Sequence, residues 1–434
     1  MYDWANSAFQ TTVVTVLIGP YLTTLAQQAV GDNGVVLRLG ALGAVTAKSF
    51  YPYCIALSVV LQTLMLPLLG AAADYSRRRK GLMMALCYTG ASATCLMVFL
   101  SAETYLAGGL LLVGANVCFG AALVLYNAFL NDVAAPPMRD AVSSRGYAMG
   151  YLGGGLLLAC NLALIAAGPR VGIGKDLAVR LSLLSAGLWW GGFGAFAFSR
   201  IAPRPASQVA PPGRSAIRAA AGGVVRAFTD LRGLPHTLRF LAAYMLFNDG
   251  IQTVISIASV FLAQELFVAR GLPVDESFLI MLILMVQLVG IGGALLFEQI
   301  ARRVGTKRAI VLSLVLWIGV VIYAYGFLES RAQAWAMGAV IALVLGGSQA
   351  LSRALFSLMI PAGREASFFG LYEIADRGTS WIGPLVFGAV AGATNSYRQA
   401  ILSLVFLFVA GLVVLAATDT DRAIAEAARP AAAV

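Results

Sequence analysis

The chain has 434 residues, of which 60% are hydrophobic and only 12% charged, where soluble domains carry about 25% charged residues, and its mean hydropathy is +0.84. That composition excludes a water-soluble enzyme or binding module and leaves a polytopic membrane protein. The net charge of +10 reads as a topology signal and a contact with anionic lipid head groups, and it needs no nucleic acid as partner.

In chain order, twelve apolar stretches reach the roughly 20 residues that cross about 30 Å of hydrocarbon. They cover 5–25, 50–72, 81–101, 105–130, 145–168, 180–199, 239–266, 277–298, 308–328, 333–358, 370–392 and 399–417. Gly, Pro or Ser interrupts most of them, which suits tilted helices around a cavity. The expected fold is all-α, with twelve transmembrane helices in two six-helix bundles. Residues 1–199 form the first bundle and 239–418 the second. Between them, 200–238 holds Pro203, Pro205, Pro211 and Pro212 and reads as a flexible linker with one short amphipathic helix near 216–231. Residues 419–434 form a tail. Most Lys and Arg fall in the linker, the ends and the loops on the linker's side, which places both termini in the cytoplasm. The five cysteines, Cys54, Cys87, Cys95, Cys118 and Cys160, lie in spans of the first half without metal-like spacing, and buried, unpaired thiols are expected.

The two halves echo each other. Asn6-Ser7-Ala8-Phe9-Gln10-Thr11 opens the first span, and Asn248-Asp249-Gly250-Ile251-Gln252-Thr253 lies within the seventh. The basic turn from Gly70 to Lys80 has a partner in Glu298 to Arg308; Arg139-Asp140-Ala141 has one in Arg364-Glu365-Ala366; and Asn127-Ala128-Phe129 aligns with Arg353-Ala354-Leu355. Four echoes in the same order put helices one, two, four and five in register with seven, eight, ten and eleven. Polar side chains held in both halves point to a shared aqueous site near the midplane.

Asn248 and Asp249 sit ~14 Å into their helix at 1.5 Å per residue. Asp249 is the candidate for proton coupling, against the alternative of a static hydrogen bond between helices. Asn6, Asn248, Gln252, Gln349 and Arg353 are candidate solute contacts, with Tyr126 and Asn127 from helix four and Trp381 from helix eleven. Arg353, inside an otherwise apolar span, is either an anchor for a carboxylate or half of an internal ion pair with Asp132, Glu373 or Asp376. Asp3 faces the cytoplasmic mouth, as a gate residue or a solvated cap. Glu373, Asp376 and Arg377 are spaced for local pairing and read as a gate. Gly146, Gly150 and Gly154 give helix five a smooth packing face. His236, the single histidine, is not expected to relay protons. With no nucleotide-binding glycine loop, no metal cluster and no nucleophile–base pairing, neither cofactor nor metal is expected, and the energy source is a gradient.

Several of these blocks also carry a resemblance. The turn containing Asp74, Arg77, Arg78, Arg79 and Lys80 is similar to the Gly-x-x-x-Asp-Arg-x-Gly-Arg-Arg signature of the major facilitator superfamily, with Arg77 in place of its second glycine. Tyr2-Asp3-Trp4-Ala5-Asn6-Ser7-Ala8, Ser143 to Tyr151, Gly346-Gly347-Ser348-Gln349-Ala350-Leu351-Ser352-Arg353, Phe368 to Glu373 and Gly383-Pro384 resemble that superfamily's autophagy-related vacuolar effluxer branch. The resemblance implies alternating access, a cytoplasmic gate at Asp74, Arg77 and Arg78, and export of amino acids by analogy with the fungal members. The expected protein is therefore not an enzyme. It is a monomeric secondary transporter in a bacterial cytoplasmic membrane, exporting a small amino-acid-like solute with protons as candidate coupling ion, and its partners are that solute and membrane lipids. A lipid or amphiphile flippase on the same scaffold is the alternative.

Overall fold

In the computed structural model, residues 1–31, 34–38, 44–76, 78–202, 216–377 and 382–428 are described. Nearly all of them are helical, as a bilayer demands, because only a helix satisfies its own backbone amides and carbonyls where no water can. Among the described residues, eleven continuous helices are long and apolar enough to cross a membrane. In the first half they are helix one (Tyr2–Val30), two (Ala47–Asp74), three (Arg79–Phe99), four (Ala102–Val133), five (Pro136–Val171) and six (Lys175–Arg200). In the second half they are helix seven (Pro235–Arg270), eight (Ser277–Val304), nine (Thr306–Gly326), ten (Arg331–Leu358) and twelve (Tyr397–Ala416). The expected eleventh span is present as Glu365–Arg377 and Ile382–Thr394, on either side of residues outside the described set.

Sequence-local chemistry sets the helix ends. Asp275 caps helix eight by accepting from the Phe278 amide at 3.0 Å, and Ser330 with Gln333 forms a reciprocal capping box at the start of helix ten. Pro235 opens helix seven at a position where its missing N–H costs nothing. Helix seven thus begins earlier than expected and takes in His236, whose Nδ1 accepts from the Asp419 amide at 3.2 Å. The amphipathic linker helix spans Ala216–Arg232, and two short strands, Val35–Arg38 and Ala44–Thr46, pair antiparallel between helices one and two.

Helix one contains a feature the sequence did not signal. Phe9–Leu17 is wound as a π-helix, and the Thr15 hydroxyl donates to the Gln10 carbonyl at 2.8 Å five residues back. Such widened turns are rare and concentrate at functional sites.

By contacts the chain divides into two compact units. The first holds Met1–Leu66, Arg77–Tyr126 and Met149–Ala206; the second holds Pro67–Ser76, Asn127–Ala148 and Ser207–Val434. In the first, the smooth face of helix five receives helix one. A β-carbon at Gly150 would lie 2.7 Å from the Ser7 hydroxyl, and one at Gly154 would lie 2.8 Å from that of Thr11. In the second unit the repeat reproduces this packing, since a β-carbon at Gly383 would lie 1.9 Å from the Thr253 hydroxyl. Thr11 and Thr253 close the two echoed motifs, so the echo is one of three-dimensional packing as well as of letters.

The cysteines correct one expectation. All five are free, but only Cys54 and Cys87 are buried, while Cys160 is exposed. Hydropathy marks a side chain as apolar without saying whether its face turns to other helices or to lipid.

Candidate functional site

Inside the second unit, helix four, helix five and the linker-side end of helix two meet helices seven, ten and eleven through a polar network that is almost dry. Its centre is Arg353 of helix ten, 4% exposed. All three guanidinium nitrogens donate: Nε to the Ser143 hydroxyl at 2.9 Å, Nη2 to the Ser143 carbonyl at 3.0 Å and Nη1 to Asn127 Oδ1 at 3.2 Å. The same cation lies 4.6 Å from the centroid of the Tyr147 ring. Asn127, whose repeat counterpart is Arg353 itself, then bridges cation to anion, because its amide also donates to Glu373 Oε1 at 2.9 Å. A side-chain amide carries an acceptor and donors on separate atoms, so it can do both at once.

Glu373 is 1% exposed, and its second oxygen accepts from Arg377 Nε at 3.1 Å. Arg377 also reaches Asp376 at 4.0 Å. Asp376 Oδ1 accepts from the Tyr244 hydroxyl at 2.5 Å and from Asn248 Nδ2 at 2.9 Å, and Tyr244 stacks on Tyr372 with centroids 4.4 Å apart. Two guanidinium groups and two carboxylates thus balance within one cluster. Desolvating such groups costs several kcal/mol per ion, so every bond in the cluster matters.

The linker-side rim is equally specific. The Asp74 carboxylate caps the start of helix eleven, accepting from the amides of Ala366 and Ser367 at 3.0 and 2.9 Å and from the Ser367 hydroxyl at 2.5 Å. A negative side chain at three donors of a helix N-terminus is favoured by both hydrogen bonding and the helix dipole. Gly70 permits the approach, since a β-carbon there would lie 2.2 Å from the Ala366 carbonyl oxygen. In the second copy of this motif Thr306 donates to Asp140, at the start of helix five, at 2.6 Å. Arg139 Nη1 and Asn131 Nδ2 both donate to the Ser357 carbonyl, at 2.6 and 3.2 Å. The linker helix clasps the rim: Arg226 donates to the Tyr75 hydroxyl at 2.7 Å, and Asp230 pairs with Arg364.

Asp249, 2% exposed, sits beside Gly383, whose amide donates to its Oδ2 at 2.8 Å. Its Oδ1 is buried and has no partner among the described residues. In the first unit Asp3 accepts from the Tyr126 hydroxyl, and Asn6 is 4% exposed. Gln252 and Gln349 are half-buried and Arg78 is exposed. Arg77 and Trp381 lie outside the described residues. Of the expected residues, the network therefore gathers Asn127, Asn248, Arg353, Glu373, Asp376 and Arg377. Ser143, Tyr147 and Tyr244 join them without having been singled out. Tyr244 lies one helical turn before Asn248, a spacing that was available to find it.

Comparison with known proteins decides the family. The model described as "Vacuole effluxer Atg22 like" matches residues 1–139 and 132–428. The chain belongs to the Atg22-like vacuole effluxer family. An uncharacterized MFS-type transporter of Bacillus subtilis (strain 168), YxiO, is 28% identical over 97% of this chain and 95% of its own length. Autophagy-related protein 22-1 of Penicillium rubens is also 28% identical, over 92% of this chain and 79% of its own. Among solved structures, the human organic anion transporter MFSD10 superposes with a TM-score of 0.68 at 17% identity, covering 95% of this chain and 97% of that one. FucP in the outward conformation gives 0.67 at 9% identity, covering 96% and 98%. These structures carry the fold alone. This Atg22-like chain is thus a multi-pass secondary transporter of the major facilitator superfamily, and not an enzyme.

Proposed function

We propose that this Atg22-like transporter exports a small polar or zwitterionic solute of amino-acid type from the cytoplasm of a bacterial cell, with the cluster around Arg353 as its cytoplasmic gate. The observation that carries the reading is the burial of Arg353 with Asn127, Ser143 and Glu373. A permanently closed contact would be served as well by apolar side chains, which often stabilise more than a buried ion pair does. A charge-balanced network that exchanges partners, by contrast, has a second arrangement available when the gate opens. In that arrangement the Arg353 guanidinium is released, and its planar fork can take a solute carboxylate bidentately. Asn6, Gln252 and Gln349 supply neutral donors and acceptors for the remaining polar groups.

Asp249 is the proposed proton-coupling group, because one of its oxygens is committed to helix eleven through Gly383 while the other is open to a proton. The name of the matching family, an effluxer, supports export, and the basic residues on the linker side support the orientation.

The test is counterflow of labelled amino acids in proteoliposomes under an imposed pH gradient. The parent protein accumulates label in a pH-dependent way. Arg353→Lys, which keeps the charge but loses the fork, lowers the rate at least tenfold. Asp249→Asn retains exchange and loses its response to the gradient. Undiminished transport by Arg353→Lys would refute the gate assignment, and intact proton dependence in Asp249→Asn would refute the coupling.

A further inference from the structure

Apart from the polar network, the first unit carries an apolar groove of about 540 Å³ lined by Trp4, Met149, Trp189, Gly192, Phe193 and Phe196. Its wall is stiff. Trp4 and Trp189 stack at 5.4 Å, Trp189 and Phe193 lie 4.7 Å apart, and Trp189 Nε1 is tied to the Trp4 carbonyl at 3.0 Å. Gly192 leaves the floor open, with nothing within 4 Å of where its β-carbon would stand. From Leu188 to Phe196 the groove follows helix six for ~12 Å. These groups sit within transmembrane helices, so hydrocarbon is the surrounding solvent.

At the linker-side end of the groove the chemistry changes. Arg200, the last residue of helix six, lies with its guanidinium 5.1 Å from the centroid of the Phe196 ring. It is exposed and makes no hydrogen bond or ion pair to a described residue. A second cation stands at the same helix end, where Lys80 Nζ donates to the Ile201 carbonyl at 2.7 Å. An aromatic slot about as long as the upper half of an acyl chain, closed at the membrane surface by a free guanidinium, is complementary to one kind of molecule. We propose that the groove is a binding site for an anionic phospholipid of the cytoplasmic leaflet, its acyl chain along Trp189 and Phe193 and its phosphate on Arg200. The lipid is a resident ligand rather than cargo, since the groove's walls are apolar and aromatic and hold none of the buried charges of the Arg353 cluster. The guanidinium carries the selection, because an anionic head group gains from a nearby cation what a zwitterionic one does not.

The probe is a set of phosphatidylcholine vesicles carrying a fixed share of brominated phosphatidylglycerol or, as control, brominated phosphatidylcholine. Bromine quenches indole fluorescence on contact, and the signal lost in Trp4→Phe/Trp189→Phe defines the part due to the groove. In the parent protein that part reports about a fivefold preference for the anionic lipid. Arg200→Gln removes the preference and leaves the residual quenching by both lipids. Gly192→Leu, which fills the open floor, removes groove quenching altogether. Should Gly192→Leu fail to fold, Arg200→Gln alone decides. Equal quenching by the two lipids, or a preference that survives Arg200→Gln, overturns the proposal. So does an absence of groove quenching in the parent protein, the outcome expected if a second copy of the chain covers the slot, which light scattering of the purified protein would show.

Discussion

At the residue scale, Asn127 is the joint on which the network turns. It accepts from Arg353 and donates to Glu373, so truncating it takes one bond from a buried cation and one from a buried anion at once. Leaving a buried charged partner unsatisfied costs about 1–3 kcal/mol or more. Asn127→Ala is therefore expected to lower the unfolding temperature of the purified protein measurably. Asn127→Asp should cost more, because it sets a second carboxylate beside Glu373. If Asn127→Ala unfolds at the parent temperature, the amide is not bridging the two charges.

Gly383 makes a complementary case, in which a missing atom holds two helices together. A β-carbon there would fall almost on the Thr253 hydroxyl, so Gly383→Ala must push helix eleven away from helix seven or displace Thr253. Overpacking of this kind costs about 1–3 kcal/mol, and it also threatens the bond between the Gly383 amide and Asp249. Combining Gly383→Ala with Thr253→Ala removes the colliding hydroxyl and is expected to recover part of the loss. A double-mutant cycle on thermal unfolding reads the coupling directly; strictly additive effects would show that the two residues do not meet.

At the scale of elements, the start of helix eleven depends on a side chain from helix two. Three of its donors go to Asp74, and losing a cap of this type costs about 1 kcal/mol. Asp74→Asn keeps the shape but gives up the charge that the helix dipole favours. The expected outcome is faster hydrogen exchange, by about five- to tenfold, at the amides of Ala366 and Ser367, with little change in helix nine. Uniform exchange across both helices would contradict a local cap. The linker helix should behave likewise: Arg226→Ala removes its bond and its cation contact to Tyr75 and should raise exchange in Ala216–Arg232.

Much of this architecture was legible in the chain because the bilayer simplifies the reading. A run of about 20 apolar residues has one stable solution in lipid, so the spans emerge from hydropathy, and an arginine inside such a run announces itself. What stayed hidden depends on partners distant in sequence. Ser143 and Tyr147 are ordinary residues until helix ten brings Arg353 against them. The π-helical stretch at Phe9–Leu17 was not anticipated, because hydropathy marks the span without fixing how its turns are wound. The exposure of Cys160 was hidden for a related reason, since core and hydrocarbon accept the same side chains.

At the scale of the whole molecule, the repeat supplies the logic of alternation. The same Asn-to-Thr motif and the same Thr-against-Gly packing occur in both halves. Two halves built alike suit the proposed alternation, in which they exchange roles in the transport cycle. The linker-side ends of helices two, four and five are joined to the second half by Asp74, Asn127, Asn131, Arg139 and Ser143. On the proposed gating, these bonds break in every cycle.

The most direct measurement locks them. In a variant free of the five native cysteines, Asp74→Cys and Ser367→Cys replace two side chains that touch, and oxidation joins them. The account predicts that solute exchange in proteoliposomes stops on oxidation and returns on reduction, while either single cysteine is insensitive to the oxidant. Exchange that continues at an unchanged rate with the bridge formed would contradict it.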